Sequence, residues 1–159
     1  MNASQSPSVR FANGEFPRRR HVCAFFRSPA EQYRVLGPFI KEGIECGDKG
    51  FHLIDPAFRG EHLRRLKSVG IDGESAVQAG RLEICCWEDT YLRGGRFDQK
   101  AMLSLIDDLL GAKKDRAFGL TRIVANMEWA LKDLPGVEDL IEYESRVNDV
   151  LQQYDDPAV

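Results

Sequence analysis

The sequence predicts one α/β domain built on a mainly parallel sheet, and three observations predict it. Short apolar runs of strand type alternate with longer stretches whose apolar residues recur every three or four positions, which is the pattern of βαβ units. The strand runs are almost continuously apolar, as strands covered by helices on both faces are. The 159 residues, 43% hydrophobic and 30% charged, suit a single domain with a proper core. Helices on both faces make the expected architecture a three-layer sandwich.

Residues 1–17 are polar and mixed, with Asn13-Gly14 marking a turn. Together with Arg18-Arg19-Arg20, a solvated strand entrance, they read as a flexible lead-in over 1–19, with the domain proper over 20–159. The first strand is expected at His21–Phe26. Ser28-Pro29-Ala30-Glu31 then starts a helix: Ser28 at the N-cap, Pro29 in the first helical position, Glu31 closing a capping box. Tyr33, Leu36, Ile40 and Ile44 give that helix an apolar face, and Gly47 a stop. The second strand is Phe51–Asp55, ended by Pro56. A helix carrying Leu63, Leu66 and Val69 follows and closes at Gly70. The third strand is Leu82–Trp87. Past Gly94-Gly95, a helix begins near Asp98 with Met102, Leu105, Ile106, Leu109 and Leu110 inward. The fourth strand spans about Leu120 to Asn126. A last helix runs from about Glu138 to Gln153, with Leu140, Val147, Val150, Leu151 and Tyr154 facing in.

Composition excludes several classes. The net charge of −3 does not suit a nucleic-acid surface, which needs a basic face. No apolar run approaches the ~20 residues of a membrane helix, and the N-terminus has no secretory stretch. A cytoplasmic protein without direct nucleic-acid or membrane contact is expected. Cys23, Cys46, Cys85 and Cys86 lack CxxC spacing and a His cluster, and read as buried reduced thiols.

In an open α/β sheet, ligands sit outside the C-terminal strand ends. The exits there carry Arg27 and Ser28, then Asp55, then Trp87, Glu88, Asp89 and Tyr91, then Asn126, Met127, Glu128 and Trp129. The stretch 27–31 is where a phosphate-binding protein places a glycine-rich loop and a lysine. This chain has neither; Pro29 lacks an amide donor and Glu31 would oppose a phosphate. A Walker-type triphosphatase is therefore not expected. His21, His52 and His62 lie on different elements, with His62 in a surface helix, so no metal site is expected from them. His21 and Cys23 would share one strand face, which allows contact without establishing a nucleophile. Glu83 within the third strand has no account. Trp87 and Trp129, each beside carboxylates, point to a pocket rather than to core caps alone. Glu144, near the apolar stripe of the last helix, is expected to be buried and paired.

Several runs form an ordered set: His21-x-Cys23-Ala24-Phe25-Phe26; Pro38-Phe39-Ile40-x-x-Gly43-Ile44-x-x-Gly47; Tyr91-x-x-x-Gly95-x-Phe97-Asp98; Met127-Glu128-Trp129-Ala130; and Tyr143-Glu144-x-x-x-Asn148. In this order and spacing, over about residues 20–154, they resemble the MEDS domain, the sensory domain named for methanogens, methylotrophs and a dichloromethane-responsive regulator. The resemblance implies a RecA/KaiC-like core with a degenerate phosphate loop and a role in sensing small, hydrocarbon-derived molecules. It also implies a signalling partner such as a histidine kinase, a DNA-binding module or an anti-sigma-factor antagonist. His21, Phe25, Tyr91, Glu128, Trp129 and Glu144 are the positions it marks. Family members commonly continue into a strand of the type Val-Cys-x-Tyr-Asp, about where this chain reaches Pro157-Ala158-Val159. Lacking that strand, an open edge would favour a homodimer or strand exchange.

The expectation is a non-catalytic sensory domain without a cofactor. Its ligand would sit between Trp87, Tyr91 and Trp129, with Glu128 orienting it or pairing with Arg27 or Arg122, and with His21, Phe25, Asp55 and Glu144 completing the site. Two alternatives stay open: an unconventional RecA-like ATPase using Glu128 as base, and a ligand-free interaction module.

Overall fold

The computed structural model describes residues 8–17, 20–111 and 118–159. Its centre is a parallel sheet of β3 (Lys49–Ile54), β4 (Leu82–Cys86) and β5 (Thr121–Ala125), in the order β4-β3-β5. Register runs Gly50 to Leu82 and Ile54 to Cys86 on one side of β3, and Lys49 to Thr121 and Leu53 to Ala125 on the other. The second, third and fourth expected strands are thus present within a residue or two.

The first expected strand is corrected. His21 makes only an isolated parallel bridge to Ala158, and Ala158 another to Ile123. Residues 157–159 lie between β5 and the 20–22 segment: Ile123 N–H donates to the Pro157 carbonyl, Ala125 N–H to that of Val159, and Val22 N–H to that of Ala158. The segment is at the sheet edge and leaves it after Val22, so Phe25 is 96% exposed rather than part of a strand. Pro157-Ala158-Val159 adds the short pairing itself, next to β5.

Residues 8–17 are not loose. β1 (Ser8–Phe11) and β2 (Gly14–Pro17) form an antiparallel hairpin. Ala12 and Asn13 turn it in the left-handed region, the conformation a two-residue hairpin turn demands. Val9 and Phe11 are buried, and Phe11 meets the Phe39 ring edge-on at 5.9 Å. Alternation of apolar Val9 and Phe11 with polar Ser8 and Arg10 makes this a half-buried strand. Residues 1–7, with Arg18 and Arg19 of the basic run, lie outside the described residues.

Helix α1 (Pro29–Glu45) starts as expected: Ser28 Oγ accepts from Glu31 N–H at 3.2 Å, and Gly47 turns the chain at φ +82°. After β3 come α2 (Arg59–Ser68) and an additional short helix, α3 (Gly73–Gln78), capped by Asp72. Helix α4 (Gln99–Gly111) is started by Asp98, whose Oδ1 accepts from Lys100 and Ala101 N–H. Helix α5 (Leu140–Leu151) closes the fold.

Strand alternation divides the core in two. Phe51, Leu53 and Ile123 face α4 and α5, with Met102, Ile106, Leu110, Val147 and Leu151. Leu82 and Val124 face the other layer, with Leu36, Phe39, Ile40, Leu66 and the hairpin. This is the expected three-layer arrangement. Among the described residues, no helix is long and apolar enough to cross a membrane.

Candidate functional site

The C-terminal strand ends do bring the expected exit segments together. Trp87 Nε1 donates to the Asn126 carbonyl at 2.9 Å, and Gln32 Nε2 to Asn126 Oδ1 at 2.9 Å. Asp55 caps the turn after β3 by accepting from Ala57 N–H, with Lys132 Nζ 4.0 Å from its other oxygen. Lys132 also stands over the Trp87 ring at 5.2 Å. Asp55, Trp87 and the segment after β5 are therefore neighbours.

The N-terminus of α1 is closed by its own residues. Arg27 N–H donates to Glu31 Oε2 at 2.8 Å, while Ser28 takes the Glu31 amide. These bonds engage the Arg27 and Glu31 amides and set the Glu31 carboxylate where a phosphate would otherwise approach.

Trp129 lies in an aromatic box. It has no exposed surface, and its ring centroid is 5.0 Å from Tyr91 and 4.9 Å from Phe97; Tyr143 meets Tyr91 and Phe97 edge-on at 6.0 and 5.3 Å. Tilted and T-shaped contacts suit the ring quadrupoles. Burial pushes the Tyr91 and Tyr143 phenols above their ordinary range. Trp129 Nε1 is buried with no hydrogen-bond partner among the described residues. A buried donor without an acceptor costs about 1–3 kcal/mol. The loop over the box is held by its own hydrogen bonds, Leu92 N–H to the Trp87 carbonyl and Gly95 N–H to that of Leu92. Gly94 and Gly95 take left-handed φ there, at +76° and +79°.

A second cluster lies where the 20–23 segment meets α5. His21 Nε2 is 3.2 Å from Glu144 Oε2, and Cys23 Sγ is 3.7 Å from the same oxygen. The two-residue spacing puts both side chains on one side of an extended segment. Burial pushes the Glu144 carboxyl up, against the pull of His21 and Cys23; burial, then Glu144, pushes the Cys23 thiol up. Glu144 is paired, as expected, but half-buried rather than buried.

Other expectations are corrected. Arg122 does not serve the site. Its Nε is 2.8 Å from Asp48 Oδ2 and its Nη1 2.9 Å from Glu42 Oε2, near the start of β5 and away from Glu128, which is exposed. Arg27 is exposed and contributes its backbone N–H. Cys23 and Cys46 are exposed, and Cys85 and Cys86 half-buried, because the first lies on the departing edge segment and the second caps α1. His62 is buried rather than on a surface helix: its Nε2 is 2.9 Å from His52 Nδ1, and its Nδ1 is hydrogen-bonded to the Tyr33 hydroxyl. Glu83 has an account after all, an ion pair with Lys49 at 2.5 Å.

The reading of exit loops alone leaves Phe97 and Tyr143 out of the box. Tyr143 was accessible from the sequence, since 143, 147 and 151 recur every four residues along α5. Phe97 carries no such signal, because its segment has no periodicity.

Comparison with known proteins converges on one family. The family described as "MEthanogen/methylotroph, DcmR Sensory domain" matches residues 20–158. The chain is also similar to the transcriptional repressor DcmR of Methylorubrum extorquens, at 27% identity over 131 residues, which is 82% of this chain and 46% of the repressor. The chain thus spans about half the length of the curated relative it matches.

Proposed function

The chain belongs to the MEDS sensory-domain family, and from that premise we propose that it is the input domain of a signalling or transcriptional regulator, binding a small molecule without catalysing its conversion. The observation that carries this reading is the Trp129 indole N–H, buried and without a hydrogen-bond partner among the described residues, within a box of Tyr91, Phe97 and Tyr143. An apolar enclosure with one convergent donor suits a small, mostly apolar molecule bearing a single acceptor. Hydrocarbon derivatives such as short alcohols or halides have that chemistry. In this structure the rings touch, so binding would part them and displace the 87–97 loop above. The similarity to a repressor supports readout through a DNA-binding partner; a histidine kinase or an anti-sigma-factor antagonist would serve equally.

The reading without a working phosphate loop is supported by Glu31, whose carboxylate accepts from Arg27 N–H and whose own N–H donates to Ser28 Oγ. Glu128, exposed beside Trp129, would at most line the entrance.

Tryptophan emission and melting temperature, followed during titration with one- to three-carbon alcohols, halides and carboxylates, test the reading. A binding member should shift both. Trp87→Phe should keep the emission response and Trp129→Phe should lose it. A panel that moves neither quantity, or a response that survives Trp129→Phe, would sink the proposal. Calorimetry with ATP and magnesium should give no heat of binding.

A further inference from the structure

We propose that His21 Nε2, Cys23 Sγ and a Glu144 carboxylate oxygen form a three-ligand site for a borderline divalent cation of the zinc class, with a fourth coordination position open. The donor atoms all lie within 4.8 Å of one another. Two of the separations are 3.2 and 3.7 Å. Around a tetrahedral zinc with bonds of roughly 2.0–2.3 Å, ligand atoms stand roughly 3.3–3.7 Å apart. Both contacts to Glu144 already match that spacing, and side-chain rotation would have to bring His21 and Cys23 to it.

Its composition is selective. One imidazole, one thiolate and one carboxylate favour zinc-like ions over calcium or magnesium, which take all-oxygen sites. Its placement is that of a built site. Two donors come from one extended segment and the third from a helix 121 residues later than Cys23. The His21 and Glu144 side chains are only 14% and 25% exposed, while Cys23 is exposed. An ion could thus enter from the Cys23 side and keep one position toward solvent.

On binding, the Cys23 S–H bond gives way to a sulfur–metal bond and its proton passes to solvent, as do any second proton on His21 and any proton on the Glu144 carboxyl. No oxidant or reductant is required. The proposal goes beyond the sensory reading and does not depend on it, because the aromatic box uses neither Cys23 nor Glu144.

Metal-stripped protein titrated with cobalt(II) as a spectroscopic stand-in, and with zinc by equilibrium dialysis, decides the question. One equivalent should bind, with a thiolate-to-cobalt charge-transfer band in the near ultraviolet. Cys23→Ser should abolish the band, and His21→Ala and Glu144→Gln should each weaken binding by at least about tenfold, with the circular dichroism of Cys23→Ser unchanged. Absence of stoichiometric binding by the folded protein, or binding indifferent to Cys23→Ser, would overturn the site. Either failure leaves the fluorescence test of the aromatic box standing, since that test involves no cation.

Discussion

His52 and His62 are joined ring to ring, with Nδ1 of the first 2.9 Å from Nε2 of the second, inside the layer between the sheet and α2. Burial holds both imidazoles neutral: it drives His52 well below its ordinary value, aided by His62, and brings His62 down to about 4, aided by Arg59. The unfolded chain takes up protons near pH 6.5 that the folded chain refuses. Stability from this pair is therefore complete above that pH and declines as pH falls from 6.5 toward 4. The loss at the lower end is about 3 kcal/mol for His62 alone. Melting temperatures measured from pH 4 to 8 should fall along this window. Replacing both histidines by Gln should flatten the slope there; an unchanged slope would remove the pair as its cause.

Arg122 fixes the opposite end of the sheet. Its guanidinium meets Asp48, Glu42 and the Phe39 carbonyl, and lies over the Phe39 ring at 4.9 Å. Arg122→Met would leave Asp48, buried and also accepting from Leu120 N–H, without its counter-charge. The expected cost is about 3–5 kcal/mol in urea unfolding. Adding Asp48→Asn should recover part of it, and a double variant no better than the single would argue that the charge pairing is not what matters.

Gly136 sits at φ +92°, and a Cβ there would lie 2.2 Å from the Phe97 carbonyl oxygen. Gly80 has φ +69° with nothing within 4 Å of the same added atom. Gly80→Ala should cost only conformational strain, about 1–3 kcal/mol. Gly136→Ala should cost clearly more, because backbone must yield beside the aromatic box. Equal losses in denaturant unfolding would mean that this loop shifts freely.

Ser28→Ala should destabilise by about 0.5–2 kcal/mol, the range for losing an N-cap side chain, because the Glu31 N–H loses its acceptor. If the Ser28→Ala/Glu31→Ala chain, but not the natural one, bound inorganic phosphate, self-capping would be what closes this helix end.

Most of the architecture was legible because periodicity and caps are local. Ser28, Gly47 and Asp98 mark their helix ends in sequence and in space, and β3, β4 and β5 are continuous apolar runs. The His21–Phe26 run reads the same way, yet it leaves the sheet after Val22; composition does not reveal how many neighbours a strand finds. Val9 and Phe11 alternate over too few residues to stand out against a polar lead-in. In the site, Trp129, Tyr91 and Glu144 are flagged by type and position, whereas the Arg122–Asp48 and His52–His62 contacts are pairings across elements that no spacing encodes. An arginine two residues into β5 and a histidine on α2 look like surface groups until the partner is known.

Tyr143 and Glu144 are consecutive residues of α5, one ring-packed in the aromatic box and the other reaching His21 and Cys23. The rigid peptide link between them makes the helix a short crank with a handle in each place. A displacement of α5 large enough to loosen Tyr143 must drag the Glu144 carboxylate with it, so the deep interior and the edge segment cannot change position independently.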